Sequence, residues 1–374
     1  MRIALVAHSK SPWAPRYARH FQRAGHEVTV YSFQAGTIDG VRTVMLGRSE
    51  DPNRLPRWAY FTEIPRLRRL LEAFAPDAVL ATYMASNGLA ASVAWKGPLI
   101  VSARGGDVLV QADRPTIPEW MWRRVIRFAG RRAYRVHSVS EEISEALVEA
   151  GVPRDRIVTF PAGVDVRRFP PRPEPDLDRP PTRLICTRWH GVVYRNNLIL
   201  EAFARLRAEG LPLTLQFVSG GPLLEERRRH AEALGLGDVV SFTPQVDHAR
   251  MPEILAAADI YLSASMSDGT SSSLLEALAV GLLPVVSRIR ANADWIRDGR
   301  NGLDFALDDL DDLTRTLRRA VEDRDLRGRA WRENPLLARE KGDESRNSDR
   351  LLALLVEAAT ESGSRAAALS APAR

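Results

Sequence analysis

Lysine is nearly missing from this chain. Of 53 basic residues in 374, three are lysines (Lys10, Lys96 and Lys341) and the other 50 are arginines. None of the three stands in a Gly-Lys-Ser/Thr context, so a Walker-type phosphate loop is excluded. Any phosphate must then be held by arginine, hydroxyls and backbone N–H groups. Cysteine is scarcer still: Cys186 alone rules out a disulfide within the chain and any CxxC redox or zinc pair. The seven histidines show no H-x-E, HExxH or H-x3-H spacing, so neither a metal cluster nor a metal cofactor is expected. No apolar run reaches the ~18 residues of a membrane span, and Met1–His8 (MRIALVAH) turns polar too soon for a signal peptide. A cytoplasmic location is the expectation. The formal net charge of +6 gives a mild bias toward anionic partners, and with no recognised motif beside the arginines nucleic acid is not among them.

What is present is an alternation of short β-branched runs with longer amphipathic stretches. Arg2–Ala7, Glu27–Ser32, Asp77–Ala81 and Leu99–Ser102 read as strands, with helices at Tyr17–Ala24 and Ile64–Phe74. The rhythm breaks at Phe169–Thr182 (FPPRPEPDLDRPPT), where six of fourteen residues are proline. Such a segment cannot continue a helix or a central strand, and it reads as an interdomain linker. The rhythm resumes from Arg183–Cys186 through Asn197–Ala208, Leu213–Val218, Leu223–Ala233, Val239–Phe242, Met251–Ala257, Ile260–Ser263, Ser272–Val280, Leu283–Ser287 and Asp308–Glu322. The fold class predicted is α/β: two doubly wound Rossmann-like domains, with ligands at the carboxyl ends of the strands in a cleft between them. The expected organisation is an N-terminal acceptor-side domain over 1–168, the linker over 169–182 and a nucleotide-sugar domain over 183–335. A helix over 336–360 would return to the first domain, followed by a disordered tail over 361–374.

The most informative stretch is Tyr261–Ser287, YLSASMSDGTSSSLLEALAVGLLPVVS. A strand runs into a small-residue loop from which a helix starts, with Ser271 or Ser272 as N-cap. Gly269 allows close backbone approach, and the N–H groups at Thr270, Ser271 and Ser272 form an anion site aided by the helix dipole. Asp268 and Glu276, eight residues apart, could accept hydrogen bonds from two different polyol parts of one ligand.

This stretch resembles the E-x7-E signature of retaining nucleotide-sugar glycosyltransferases of family 4, which have the two-domain GT-B fold. Asp268 stands where that family has its first Glu, implying contact with the donor sugar, and Glu276 matches the second, implying contact with the ribose. Ser219-Gly220-Gly221-Pro222 resembles the family's G-x-G-P turn. Val239–Val246 (VVSFTPQV) resembles its V-x-F-x-G-x-V segment, implying that Gln245 and Val246 lie near the base. Pro161–Asp165 (PAGVD) resembles its PNGVD and Ala24–Val28 (AGHEV) its RGHEV. The resemblance implies transfer of a sugar from a nucleoside diphosphate to a hydroxyl acceptor (a surface glycan, a lipid-linked sugar or a small molecule), retention of configuration, and no metal.

The chain also departs from that pattern. Arg188 matches the arginine of the family's G-R-L…K-G pair on the diphosphate, but the lysine position falls on Tyr194, with Arg195 next door as the candidate substitute. The family's H-G-x-D reads Arg104-Gly105-Gly106-Asp107 here, so Arg104 replaces its histidine; with His8, this segment (Arg104, Gly106, Asp107) is assigned to the sugar and acceptor side. His190 and His248 read as solvated or structural. Residues 120–135, with six arginines among aromatics, read either as an ordinary helix burying Trp122, Ile126 and Ala129 or as one that meets anionic membrane. A nucleotide-sugar 2-epimerase and a non-catalytic binding protein on the same fold stand as alternatives.

Overall fold

The structure, a computed structural model, describes residues 1–47, 58–109, 118–244 and 246–370. It divides into two compact units: Met1–Ala162 together with the C-terminal stretch from Ser345, and Gly163–Glu344.

The first unit is built on seven parallel strands: β1 (Arg2–Val6), β2 (Glu27–Ser32), β3 (Arg42–Met45), β4 (Ala78–Thr82), β5 (Leu99–Ala103), β6 (Arg135–Ser138) and β7 (Ile157–Thr159). Their order is β3-β2-β1-β4-β5-β6-β7. Helices α1 (Trp13–Arg23), α2 (Trp58–Phe74), α3 (Leu89–Ala94), α4 (Glu119–Arg132) and α5 (Glu141–Glu149) fall between them. The second unit carries β8 (Thr182–Cys186), β9 (Leu213–Val218), β10 (Val240–Thr243), β11 (Ile260–Ser263), β12 (Leu283–Ser287) and β13 (Leu303–Phe305). These are parallel in the order β10-β9-β8-β11-β12-β13. Its helices are α6 (Asn196–Ala208), α7 (Leu224–Ala233), α8 (Met251–Ala256), α9 (Ser272–Val280), α10 (Arg290–Ala293), α11 (Leu310–Glu322) and α12 (Arg324–Lys341). Both orders reverse once, between β1 and β4 in one unit and between β8 and β11 in the other. In such sheets the strand ends at the reversal open a crevice for ligands. The two doubly wound α/β units expected from the alternating pattern are there.

The strands read as unbroken apolar runs because helices cover both sheet faces; β4, β5 and β12 are buried along their whole length. Helix α1 buries Ala14, Tyr17, Ala18 and Phe21, one stripe at helical spacing. It begins four residues before the expected Tyr17, because Pro15 falls in the first turn, where a missing N–H breaks no helix bond.

Four expectations need correction. Arg135 belongs to a strand: α4 ends at Arg132 and Ala133 is extended at φ −64°, ψ 144°, so that Tyr134 N–H donates to Leu99 O (2.7 Å) and β6 joins the sheet. The Pro-rich stretch is packed into the second unit rather than left as a spacer. Phe169 is buried, and the buried Arg172 guanidinium meets Asp259 (3.2 Å). Trp331 Nε1 donates to Arg172 O (3.0 Å). The chain then returns to the first unit from Ser345, not from residue 336. Helix α13 (Glu344–Ser370) places Leu351, Leu355 and Ala358 in a core with Ile3, Leu5 and Phe21, and Tyr134 Oη donates to Glu357 (2.7 Å). That helix extends to Ser370 across most of the stretch expected as a disordered tail; residues 371–374 lie outside the described residues.

His137 on β6 is fully buried and satisfied on both sides as a neutral ring, by Ser102 Oγ (2.9 Å) and Phe160 O (2.8 Å). Burial lowers its pKa from 6.5 to about 3. Below pH 6.5 the unfolded chain therefore takes up a proton that the folded chain refuses, and stability is lost as pH falls from 6.5 toward 3. The expected loss from this group at pH 5 is roughly 2 kcal/mol. Urea unfolding of His137→Gln should show a shallower decline between pH 7 and pH 5 than the parent; parallel declines would refute the assignment.

Candidate functional site

At the β8/β11 reversal of the second unit, β8 ends on Cys186, whose thiol burial pushes up to about 12; it is no nucleophile at neutral pH. Two residues on, Arg188 is almost fully buried. Its Nη1 donates to Ser271 Oγ (2.6 Å) and Ser273 Oγ (3.0 Å), and its Nη2 to Asp268 Oδ2 (2.5 Å). Burial pulls the Arg188 pKa down, but the Asp268 carboxylate outweighs it and the net shift is upward. The Tyr194 ring lies 4.6 Å from the guanidinium carbon, a cation–π contact. The residue at the family's lysine position therefore braces the arginine instead of adding a second charge.

Ser271 is the N-cap of α9, its Oγ accepting from Leu274 N–H (3.2 Å), which decides between the two serines the sequence left open. Ser273 Oγ bonds Tyr261 Oη (2.8 Å). The first N–H groups of α9, an arginine, two hydroxyls and Asp268 thus meet at one strand-to-helix junction. Gly269 is buried within it, and Thr270 and Ser272 are half-buried. A diphosphate would find there a guanidinium and a helix N-terminus, the donor set for an anion in a chain without a phosphate-loop lysine.

Glu276 lies one turn into α9. It is buried, and its Oε1 takes a hydrogen bond from His248 Nε2 (2.8 Å); Oε2 has no hydrogen bond among the described residues. The pairing was not legible in the sequence: 28 residues separate the two, and His248 read as a surface or structural histidine. Its ring is 5.5 Å from Phe169, at the start of the Pro-rich stretch. His190 is buried between Phe217 and Phe242 and hydrogen-bonded to Asn196 Nδ2 (3.1 Å), a structural role. The Gly220-Gly221 turn packs on it, and a Cβ at Gly221 (φ +146°) would stand 2.5 Å from His190 O.

Arg195 and Val246 make other contacts. Arg195 makes an exposed ion pair with Asp308 (3.1 Å) and touches Met266 Sδ (3.1 Å), outside the cluster on Arg188. Val246 packs against the core around Leu274 and Phe169, and Gln245 lies outside the described residues.

In the first unit, the residues assigned to the sugar and acceptor side gather at the other reversal. His8 follows β1, Tyr83 follows β4 and Arg104 follows β5. The His8 ring is 5.8 Å from Tyr83, and burial lowers its pKa to about 4. Asp107 is a loop-holder: Oδ1 accepts from Arg104 N–H and Gly105 N–H (2.9 Å each) and Oδ2 from Met84 N–H (2.5 Å). Burial pushes its pKa up against those donors. Gly106 is exposed.

Known proteins similar to this chain are glycosyltransferases. The family model "Glycosyltransferase Family 4" matches residues 16–168, and "Glycosyl transferases group 1" matches residues 193–335. The chain is 28% identical to the GDP-mannose-dependent alpha-(1-6)-phosphatidylinositol monomannoside mannosyltransferase of Mycolicibacterium smegmatis, over 61% of this chain and 64% of that one, just under two thirds of its length. It is 27% identical to the MMP alpha-(1->4)-mannosyltransferase of Mycolicibacterium hassiacum, over 87% of this chain and 91% of that one. Among solved structures, Anabaena Alr3699/HepE in complex with UDP superposes with a TM-score of 0.78 at 15% identity, covering 96% of this chain and all (100%) of that one. Among the described residues no helix is long and apolar enough to cross a membrane.

Proposed function

From the premise that the chain is a glycosyltransferase of the two-domain GT-B fold, we propose that it moves a hexosyl or related sugar from a nucleoside diphosphate to a hydroxyl acceptor with retention of configuration. The observation that carries this reading is the Arg188–Asp268–Ser271 cluster at the N-terminus of α9. In glycosyl transfer the barrier lies in charge growing on the departing diphosphate while the sugar becomes oxocarbenium-like. Arg188 and the α9 N–H groups stabilise that departing charge in place, without a divalent ion. The arriving diphosphate competes with Asp268 for the Arg188 guanidinium, and Asp268, so released, accepts hydrogen bonds from the sugar hydroxyls. Glu276, oriented by His248, accepts from the ribose through Oε2.

As the bond from the anomeric carbon to the phosphate oxygen breaks, the acceptor oxygen closes on the same face and its proton passes to the leaving phosphate. No enzyme nucleophile is required. The relatives named above are described as mannosyltransferases, and the HepE structure holds UDP, so both UDP- and GDP-sugars belong in the assay. Incubation of the full chain with these donors and a hydroxyl acceptor should release nucleoside diphosphate and give a product whose anomeric proton retains the donor configuration in NMR. An inverted anomer would overturn retention, and a product epimerised at C2 would overturn transfer.

Helix α4 supports a peripheral contact with anionic lipid. It buries Trp122, Ile126 and Ala129 as an ordinary helix does. It also exposes Trp120 (58%), Met121 (41%) and Phe128 (47%), with Arg124, Arg127 and Arg131 exposed on the same helix. Aromatic side chains beside arginines suit a membrane interface, with about 1 kcal/mol for each arginine near an anionic surface. Sedimentation should be stronger with phosphatidylserine-containing liposomes than with pure phosphatidylcholine and should weaken several-fold in Trp120→Ala/Phe128→Ala. Binding indifferent to lipid charge would refute it.

A further inference from the structure

Arg104 stands out in the first unit as a cation with no counter-ion among the described residues. Its guanidinium carbon lies 4.5 Å from the centre of the Trp13 ring and 5.1 Å from that of Tyr17. Nη2 donates to Tyr17 Oη at 2.5 Å, a neutral partner. Nε and Nη1 are buried and have no hydrogen-bond acceptor. Asp107, three residues on, has its two oxygens committed to three backbone N–H groups, and Arg104 takes part in no ion pair among the described residues. A buried guanidinium with two unpaired nitrogens is unfavourable by itself, and a native fold keeps such a group where something else completes it. The position says what that is. Arg104 follows β5 beside the β1/β4 reversal, where a doubly wound sheet opens toward ligands. The loop that carries it is fixed by Asp107, so the cation is held in place.

We propose that Arg104 is the counter-ion of an oxyanion, a carboxylate or a phosphate, on the acceptor held by the first unit. This rests on the glycosyl-transfer reading above and names its acceptor class. A guanidinium is the side chain that takes either group through two parallel N–H bonds. Trp13, half-exposed on the first turn of α1, covers the guanidinium face and turns aside as the oxyanion enters. The cation–π contact is exchanged for a charge-assisted pair.

The test uses calorimetric titration of the full chain, saturated with UDP or GDP, with three probes of one size: glucose, glucuronate and glucose 6-phosphate. At least one anionic probe is expected to bind about ten-fold more tightly than glucose. Preference for glucuronate alone identifies a carboxylate acceptor, and preference for glucose 6-phosphate alone a phosphate ester. Arg104→Gln should bring the preferred probe down to the level of glucose and leave nucleoside diphosphate affinity, a property of the second unit, within about two-fold. Arg104→Lys, which keeps the charge and loses the fork, should retain part of the preference, and it carries the test if the Gln variant does not fold. Equal binding of all three probes, no measurable binding of either anion, or a preference that survives Arg104→Gln would overturn the proposal. Failure of UDP and GDP to bind would instead sink the glycosyl-transfer reading, and the probes titrated alone would still report on Arg104.

Discussion

Arg188→Ala is expected to lower kcat/KM for the sugar donor by about a hundred- to thousand-fold, the scale seen when one preorganised donor to a developing oxyanion is removed. The residue is nearly buried, it meets three side-chain oxygens at 2.5–3.0 Å, and Tyr194 stands where the family pattern has a lysine. The substitution also strands Asp268, and leaving one partner of a buried pair alone destabilises the fold. The double variant Arg188→Ala/Asp268→Asn separates the two effects, since it should recover melting temperature without recovering activity. Arg188→Lys should remain well below the parent, because a lysine cannot serve Ser271, Ser273 and a phosphate in one plane. Near-parental kcat/KM in Arg188→Ala, measured on folded protein, would remove the arginine from the mechanism.

The second large effect is expected at Glu276. Glu276→Gln preserves the size and the hydrogen bond to His248 but replaces a charged acceptor at Oε2 with an amide N–H group. Hydrogen bonds to charged groups contribute about 1.5–3 kcal/mol, so the Kd for nucleoside diphosphate should rise about ten- to hundred-fold. Because the ribose is held alike in ground and transition states, KM should rise with kcat at saturating donor nearly unchanged. His248→Ala should follow the same pattern more weakly, since it orients the carboxylate without touching the ligand. A fall in kcat at constant KM would mean that Glu276 acts in the chemistry rather than in binding.

How far the sequence led depends on the kind of signal each element carries. Helix α9 and strands β2, β9, β11 and β12 have the expected bounds, because apolar runs closed by small residues leave few alternatives. The strands β6 and β7 escaped notice. RVHS does not look apolar, and His137 sits inside the sheet only because Ser102 and the Phe160 carbonyl satisfy it. The Pro-rich stretch was misread for a related reason: proline excludes helix and central strand but says nothing about docking, which here depends on Arg172 meeting Asp259 far along the chain. At the candidate site, spacing and resemblance single out Asp268 and Glu276 as candidates. The partners that define their state, Arg188 on one and His248 on the other, are tertiary facts. The lysine deficit proved informative in an unexpected way, since Tyr194 supports Arg188 from beneath and Arg195 is engaged with Asp308.

The central claim is that the diphosphate of the donor is held by Arg188 at the start of α9. A crystal structure of the full chain with UDP or GDP tests it most directly. The account predicts the β-phosphate within hydrogen-bonding distance of the Arg188 guanidinium and the first N–H groups of α9, with Asp268 released from the arginine. A nucleotide bound elsewhere, or bound with the Arg188–Asp268 pair intact and no phosphate at the helix start, would contradict it.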